Sequence, residues 1–496
     1  MKKILLSLIC GSALLAFAGA ASAAPTADIN IYGASAQFNF WKAEAANFLT
    51  DEGCTVNGSQ TSADNKNFIV NATCGKNSVN IRVSSKASYD GVLAAQGNTT
   101  NTNRGTACGG DATKRSMLAS IADNTTMGCF DVTIGASDVV VTDFTQTSQG
   151  FLQGPYEGSA ANFKRYFSGA NAVTETGVTD YCRPLVVPFA FFINNSVKLD
   201  DGLTQPSDIS LTTAKIIFGS TVLADWSDLP GYAPSVINVC YRHAGSGTHA
   251  TINSLIKTIS LQLPGTKVGA TYDGSSGYYF NDGSSDMMKC VNGAPGPTNG
   301  LTWSGTGAIG YADADQVVGT GTYASTHRLT LNGVAPSRAN VINRSYPPFW
   351  TPQNMYVTPA DAANAALIDL CNHAVNPKNV HRNNAYWAPT CAFPEIPVSL
   401  YSPWVYNVNQ GNKWDFQDKA NGECTAVGVP FGCCTGPNQG TCSVFDCTGF
   451  GIPYHCCTAA GLGTCNSPQN KTECIAAGNP YACCTGPGAG DCCGDS

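Results

Sequence analysis

The nine residues from Leu185 to Ile193, LVVPFAFFI, carry no polar side chain. A strand built from them has no face to offer water, so it must lie in a sheet covered on both sides. SVINVCYRH, from Ser235, reads as a second buried strand, and GAIGYADADQV, from Gly307, as a third. Between them, LTTAKIIFGSTVLADWSDL from Leu211 has the pattern of a helix and loop. Apolar strands alternating with amphipathic segments define the α/β class. Near the end of this body, TPADAANAALIDLC is expected to be a helix, with Thr358 as N-cap, Pro359 in the first turn and Asp361 in the capping-box position.

The 496 residues exceed one ordinary core, so two or three domains are expected. Residues 1–23 read as a secretory signal: Lys2 and Lys3, an apolar stretch from Ile4 to Ala18, then Ala21-Ser22-Ala23 as the cleavage site. No later segment approaches the apolar length of a membrane span, so an exported product, periplasmic, extracellular or at the cell surface, is expected. The formal charge is −7, and loss of Lys2 and Lys3 takes it to −9. There is no basic run, which argues against nucleic acid as a partner. An anionic ligand would have to be held by local dipoles against the field of the whole chain.

Export decides how the 23 cysteines are read: as disulfides rather than thiols. Cys10 leaves with the signal, nine lie between Cys54 and Cys391, and thirteen crowd into Cys424 to Cys493. The crowding is a repeat. CTAVGVPFGCCTGPNQGTC from Cys424, CTGFGIPYHCCTAAGLGTC from Cys447 and CIAAGNPYACCTGPGAGDC from Cys474 align without a gap. Units this short bury little apolar surface, so covalent links must order them, and four cysteines allow three pairings. A thiolate metal cluster is disfavoured by export and by the spacing. In the body, spacing makes Cys54 with Cys74, Cys108 with Cys129 and Cys371 with Cys391 candidate bridges. Cys240, inside a buried strand, is expected to be a free thiol.

The richest junction follows the strand at Ser235. After Tyr241 come Arg242, His243, Ala244 and the run Gly245-Ser246-Gly247-Thr248, and then apolar residues recur at Ile252, Leu255, Ile256 and Ile259 with helical spacing. A helix therefore starts near Ser246 to Thr248. Its first N–H groups lack intrahelical acceptors, two glycines allow close approach, and Arg242 supplies a planar fork: an arrangement suited to an oxyanion. Simple helix capping by Ser246 explains part of the same pattern.

YRHAGSGTHATINSLI resembles the Arg-x-x-x-Ser-Gly-Thr loop of the periplasmic phosphate-binding proteins of ABC transporters, including their DING-type relatives. DINIYGASAQFNFW, TIGASDVVVTD, IIFGSTVLADWSDL and GAIGY are similar to further segments of that family in the same order, over roughly Asp28 to Val357. The resemblance implies a two-domain periplasmic binding protein (type II) fold with hinge strands. Its first lobe would span 24–143 and 303–400 and its second 144–302; outside the resemblance, a linker at 401–423 leads to a small disulfide-rich irregular repeat region at 424–496. It implies a phosphate site lined by Gln37, Phe38, a serine of VSSKAS (Ser84 or Ser85) and Asp138 on one side, and by Arg242, Ser246, Gly247 and Thr248 on the other. It implies neither cofactor nor metal. Two positions depart from the family: Gln37 stands where threonine is usual, and Ala244 stands where many members, though not the DING type, have an aspartate beside the arginine.

Asp138 also bears on the substrate through its own chemistry. A carboxylate facing an anion repels it unless the anion brings a proton, as hydrogen phosphate can and sulfate cannot. Three functions are consistent with these residues. The first is a binding protein that captures phosphate for an ABC permease. The second is a surface or structural protein that uses the repeats to engage a cell-surface or wall component. The third, an enzyme, would use Ser246 with His243 or His249 as base, although no third residue to orient that base is identifiable.

Overall fold

The computed structural model describes residues 25, 27–97, 108, 113–141, 149–151, 163–165, 176–219, 224–242, 245–256, 277–281, 283–293, 305–382 and 384–393. The expected signal segment, the linker and the Cys-rich repeats lie outside them.

The chain begins with β1 (Ile29–Ala34), helix α1 (Phe38–Asp51), the meander β2 (Thr55–Thr61), β3 (Asn67–Cys74) and β4 (Asn77–Lys86), and helix α2 (Ser88–Ala95). Two small ribbons flank β7 (Ile134–Ser137): β5 (Lys114–Leu118) with β6 (Met127–Asp131), and β8 (Gln149–Phe151) with β9 (Phe163–Arg165). Next come β10 (Thr179–Cys182), β11 (Val186–Asn194), β12 (Asp208–Ile209), α3 (Leu211–Gly219), β13 (Asn238–Arg242), α4 (Gly247–Ile256), β14 (Gly277–Asn281), α5 (Ser284–Asn292) and β15 (Ala308–Asp313). The last elements are β16 (Thr326–Arg328), β17 (Thr330–Leu331), α6 (Arg338–Ile342), β18 (Trp350–Pro352), β19 (Asn354–Val357), α7 (Ala365–Val375) and α8 (Pro377–Arg382).

The fold is α/β with two principal sheets, as expected. The first has the order β10-β19-β7-β1-β4-β3-β2, the second β14-β13-β15-β11-β16. All nine residues of β11 are buried. One face of the second sheet takes α3, where Phe218 packs on Phe191 and Tyr311 with ring centroids 5.3 and 5.5 Å apart. The other takes α5. A Cβ at Gly310 would stand 2.5 Å from Met287 Sδ, so only glycine lets that helix settle so close to β15. In the first sheet α2 lies on the backbone itself: a Cβ at Gly135 would meet Gly91 O at 2.2 Å.

In both sheets the parallel strands send their carboxyl ends toward the junction of the two. β1 pairs in parallel with β4 and β7, and β13 with β14 and β15. In open α/β sheets this is the edge at which ligands bind.

The chain changes sheets in two places, and one differs from expectation. The strand beginning at Gly307 was expected to return to the first lobe, but β15 pairs antiparallel with β11 and parallel with β13, inside the second sheet. The return is made by β18 and β19, which pair with β11 and β7. The outward crossing is β10 to β11, since β10 still pairs with β19. An apolar strand covered on both faces fits either sheet, so composition cannot decide its membership.

Among the described residues four disulfides are formed. Cys54–Cys74 and Cys108–Cys129 are as expected. Cys371 pairs with Cys182 rather than with Cys391, and Cys240 is bridged to Cys290 rather than free. Spacing favours short loops, whereas packing decides: α5 lies on β13, with Cα atoms 6.1 Å apart at the Cys240–Cys290 bridge. The helix expected from Thr358 also starts later. Thr358 and Asp361 do bond, Oγ1 to Oδ2 at 2.5 Å, but they close a 3-10 turn, and α7 opens at Ala365 with Asn364 as its N-cap.

Candidate functional site

Asp138 follows the end of β7, and the N-terminus of α4 sits directly opposite. Thr248 Oγ1 donates to Asp138 Oδ2 at 3.0 Å. Ser88 Oγ, at the first turn of α2, accepts from the Asp138 N–H at 3.0 Å and from the Gly247 N–H at 3.2 Å. The Tyr89 N–H donates to Gly245 O at 3.1 Å. These contacts join the first sheet to the second around one buried point. Ser88, Asp138, Arg242, Ser246 and Thr248 are each no more than 1% exposed.

Two features mark this point as more than packing. Asp138 Oδ1 is buried and has no hydrogen-bond partner among the described residues, a costly state for a carboxylate oxygen. Burial pushes the Asp138 carboxyl up to about 6, against the pull of Arg242 and of the Thr248 hydroxyl. α4 opens at the same place: its Gly247 N–H goes to Ser88 Oγ, and its Ala250 N–H to Ser246 O at 3.0 Å, with the positive end of the helix turned toward Asp138. Ser246 Oγ takes the His249 N–H at 3.2 Å, which is the capping role weighed for it, and this leaves the Ser246 proton to donate elsewhere.

Arg242 ends β13. Its N–H donates to Tyr311 Oη at 3.0 Å and its Nη1 to Ser284 Oγ at 3.3 Å. Tyr311 Oη also lies 2.7 Å from His249 Nδ1. Burial raises the Tyr311 phenol, so it keeps its proton. His249 thus presents Nδ1 to Tyr311. His243 and Ala244 lie outside the described residues.

Of the expected site residues, Asp138, Arg242, Ser246, Gly247 and Thr248 come together. The serines of VSSKAS are divided between two elements. Ser84 and Ser85 lie within β4, opposite Tyr32 and Gly33, and the residue that touches Asp138 and Gly247 is Ser88. Ala87-Ser88 followed by Asp90 in the first turn was the available sign of a helix start. Gln37 is placed at the end of β1, but its amide is fully engaged. Nε2 donates to Asn354 O at 3.0 Å and to Ser137 O at 3.3 Å, and Oε1 accepts from Trp41 Nε1 at 3.1 Å. The Phe38 N–H is turned to Ser35 O. Gln37 therefore braces the crossing strand against α1, a role that the threonine usual in the family is too short to perform.

Further contacts span the two sheets beside α5: Lys66 Nζ to Asp286 Oδ2 at 2.7 Å, Asn39 Nδ2 to Asp315 Oδ2 at 3.0 Å, and Ser35 Oγ to Ser284 Oγ at 3.0 Å. Burial and the neighbouring Asp313 raise the Asp315 carboxyl.

No family model matches the chain, and no curated protein matches it. Solved structures do. An ABC-type phosphate transport receptor from Vibrio cholerae is 12% identical with a TM-score of 0.33, over 69% of this chain and 92% of its own. A possible phosphate-binding protein from Planctomyces limnophilus is 13% identical with a TM-score of 0.33, over 75% and 97%. A DING protein is 15% identical with a TM-score of 0.41, over 73% and 91%.

Proposed function

We propose that the chain is an exported solute-binding protein whose two lobes close on a protonated tetrahedral oxyanion, phosphate, for uptake by an ABC-type permease. The observation that carries this reading is Asp138 Oδ1: a buried carboxylate oxygen without a partner, within the field of Arg242 and opposite the start of α4. Such an oxygen accepts a proton, and the helix terminus and guanidinium bind negative charge. A ligand that satisfies both must be anionic and must also carry a hydrogen. Hydrogen phosphate fits, and sulfate does not.

The phosphate ligands would be Asp138, Ser88, Arg242, Ser246, Gly247 and Thr248. From the sheet crossings we assign the first lobe to 24–182 and 353–400, and the second to 183–352. Binding requires no catalysis, so we infer no enzyme activity. Isothermal titration with phosphate tests the proposal. The wild-type chain is expected to bind, and Arg242→Ala to lose about a hundredfold or more in affinity, as removal of one partner of a buried charged contact does. Unchanged affinity in that variant would remove the site from consideration.

The repeats from Cys424 favour a second reading, in which the tail attaches the protein to a cell-surface or wall component. Fractionation separates the two: recovery in the periplasm supports the shuttle, and retention on the surface supports the attached form.

A further inference from the structure

We propose that Ser284 and Asp313 are positioning residues that aim Arg242 at the anion, and that Ser35 ties this aim to closure of the lobes. The inference rests on the phosphate reading above.

Arg242 lies on the same side of β13 as Cys240, facing α5. There its Nη1 reaches Ser284 Oγ at 3.3 Å, and the Ser284 hydroxyl donates its single proton to Asp313 Oδ1 at the end of β15. Since that proton is committed, the 3.0 Å contact between Ser35 and Ser284 must be donated by Ser35, from the first lobe. A hydroxyl has one donor and two acceptor sites, and all three are filled: by a carboxylate, a guanidinium and a hydroxyl from the other sheet. Asp313 is fixed in turn by the Gln316 amide on its second oxygen. The network is dry, with Ser284 3% and Asp313 0% exposed. The Cys240–Cys290 bridge pins the helix that carries Ser284 to the strand that carries Arg242.

Ser35 completes the network only when the sheets are as close as they are here. The aim of Arg242 is therefore finished by closure.

The test uses the full exported chain and inorganic phosphate, with stopped-flow rates and titration calorimetry on wild type, Ser35→Ala, Ser284→Ala and the double variant. Ser284→Ala is expected to speed dissociation about tenfold, with association within about twofold, because the network forms after encounter. Its phosphate-free melting point should fall by a few degrees, because Asp313 and Arg242 each lose a buried partner, so the split between the two rates is what separates positioning from stability. The double variant should bind no more weakly than Ser284→Ala, since Ser35 acts only through the Ser284 oxygen. Asp313→Asn is the second probe: it keeps the shape and weakens the acceptor that fixes the Ser284 hydroxyl, so it should also speed dissociation. Wild-type affinity in both Ser284→Ala and Asp313→Asn, or additive losses in the double variant, would overturn the network. A wild-type chain that binds no phosphate would instead overturn the phosphate reading itself.

Discussion

At the scale of single residues, Asp138 is the most exacting. Its carboxyl sits at about 6 in the folded chain, raised chiefly by burial, against about 3.8 in the unfolded one. The unfolded chain therefore gives up the proton first as pH rises. Burying Asp138 has no such cost below pH 4, a growing cost between 4 and 6, and a full cost above that of about 3 kcal/mol. A ligand that supplies a proton to Oδ1 removes this cost, and an empty closed cleft does not. Asp138→Asn should thus make the phosphate-free protein more compact at pH 7.5 and leave it little changed at pH 4.5, as read by small-angle scattering. The same variant should bind sulfate in calorimetry, because an amide can donate where the carboxylate only repels. A variant that still excludes sulfate would show that selectivity is set elsewhere.

At the scale of elements, the start of α4 acts by close approach. A Cβ at Gly247 would stand 2.5 Å from Asp138 Cβ and 2.6 Å from Ser88 Oγ. Gly247→Ala must hold the lobes apart, and phosphate affinity is expected to fall by about two orders of magnitude through loss of the competent population. Titration calorimetry checks this. This junction was legible in the sequence, since the apolar run ending at Tyr241, the glycines and the spacing from Ile252 place a strand, a loop and a helix with little freedom. Ser88 was not legible, because VSSKAS holds three serines and nothing in its periodicity says where β4 stops and α2 begins. The bracing role of the Gln37 amide was not legible for a related reason: its partners, Ser137 O and Asn354 O, are far away in sequence. The membership of β15 and the partners of Cys182 and Cys240 depend on which sheet and which helix are neighbours. A run of apolar residues does not encode that.

At the scale of the whole molecule, the Cys182–Cys371 bridge closes a sequence separation of 189 residues and ties the outward crossing to α7. In the chain-entropy account a loop of that length is worth about 5 kcal/mol, against about 3 for the Cys108–Cys129 loop. Replacing both Cys182 and Cys371 by alanine should lower the melting temperature more than the same change at Cys108 and Cys129. Circular dichroism melts rank the two, and the reverse order would show that native-state packing outweighs the unfolded-state constraint.

The two crossings run side by side, with β10 against β19, β11 against β18, and the Gln353 N–H on Leu185 O at 2.8 Å between them. A ribbon of two hydrogen-bonded chains flexes easily out of its own plane but resists slipping along its length. The lobe closure proposed above would therefore follow one arc. A tether pulling on α7 would lean on that arc through its sulfur clasp, loosening or tightening the grip on cargo from a distance.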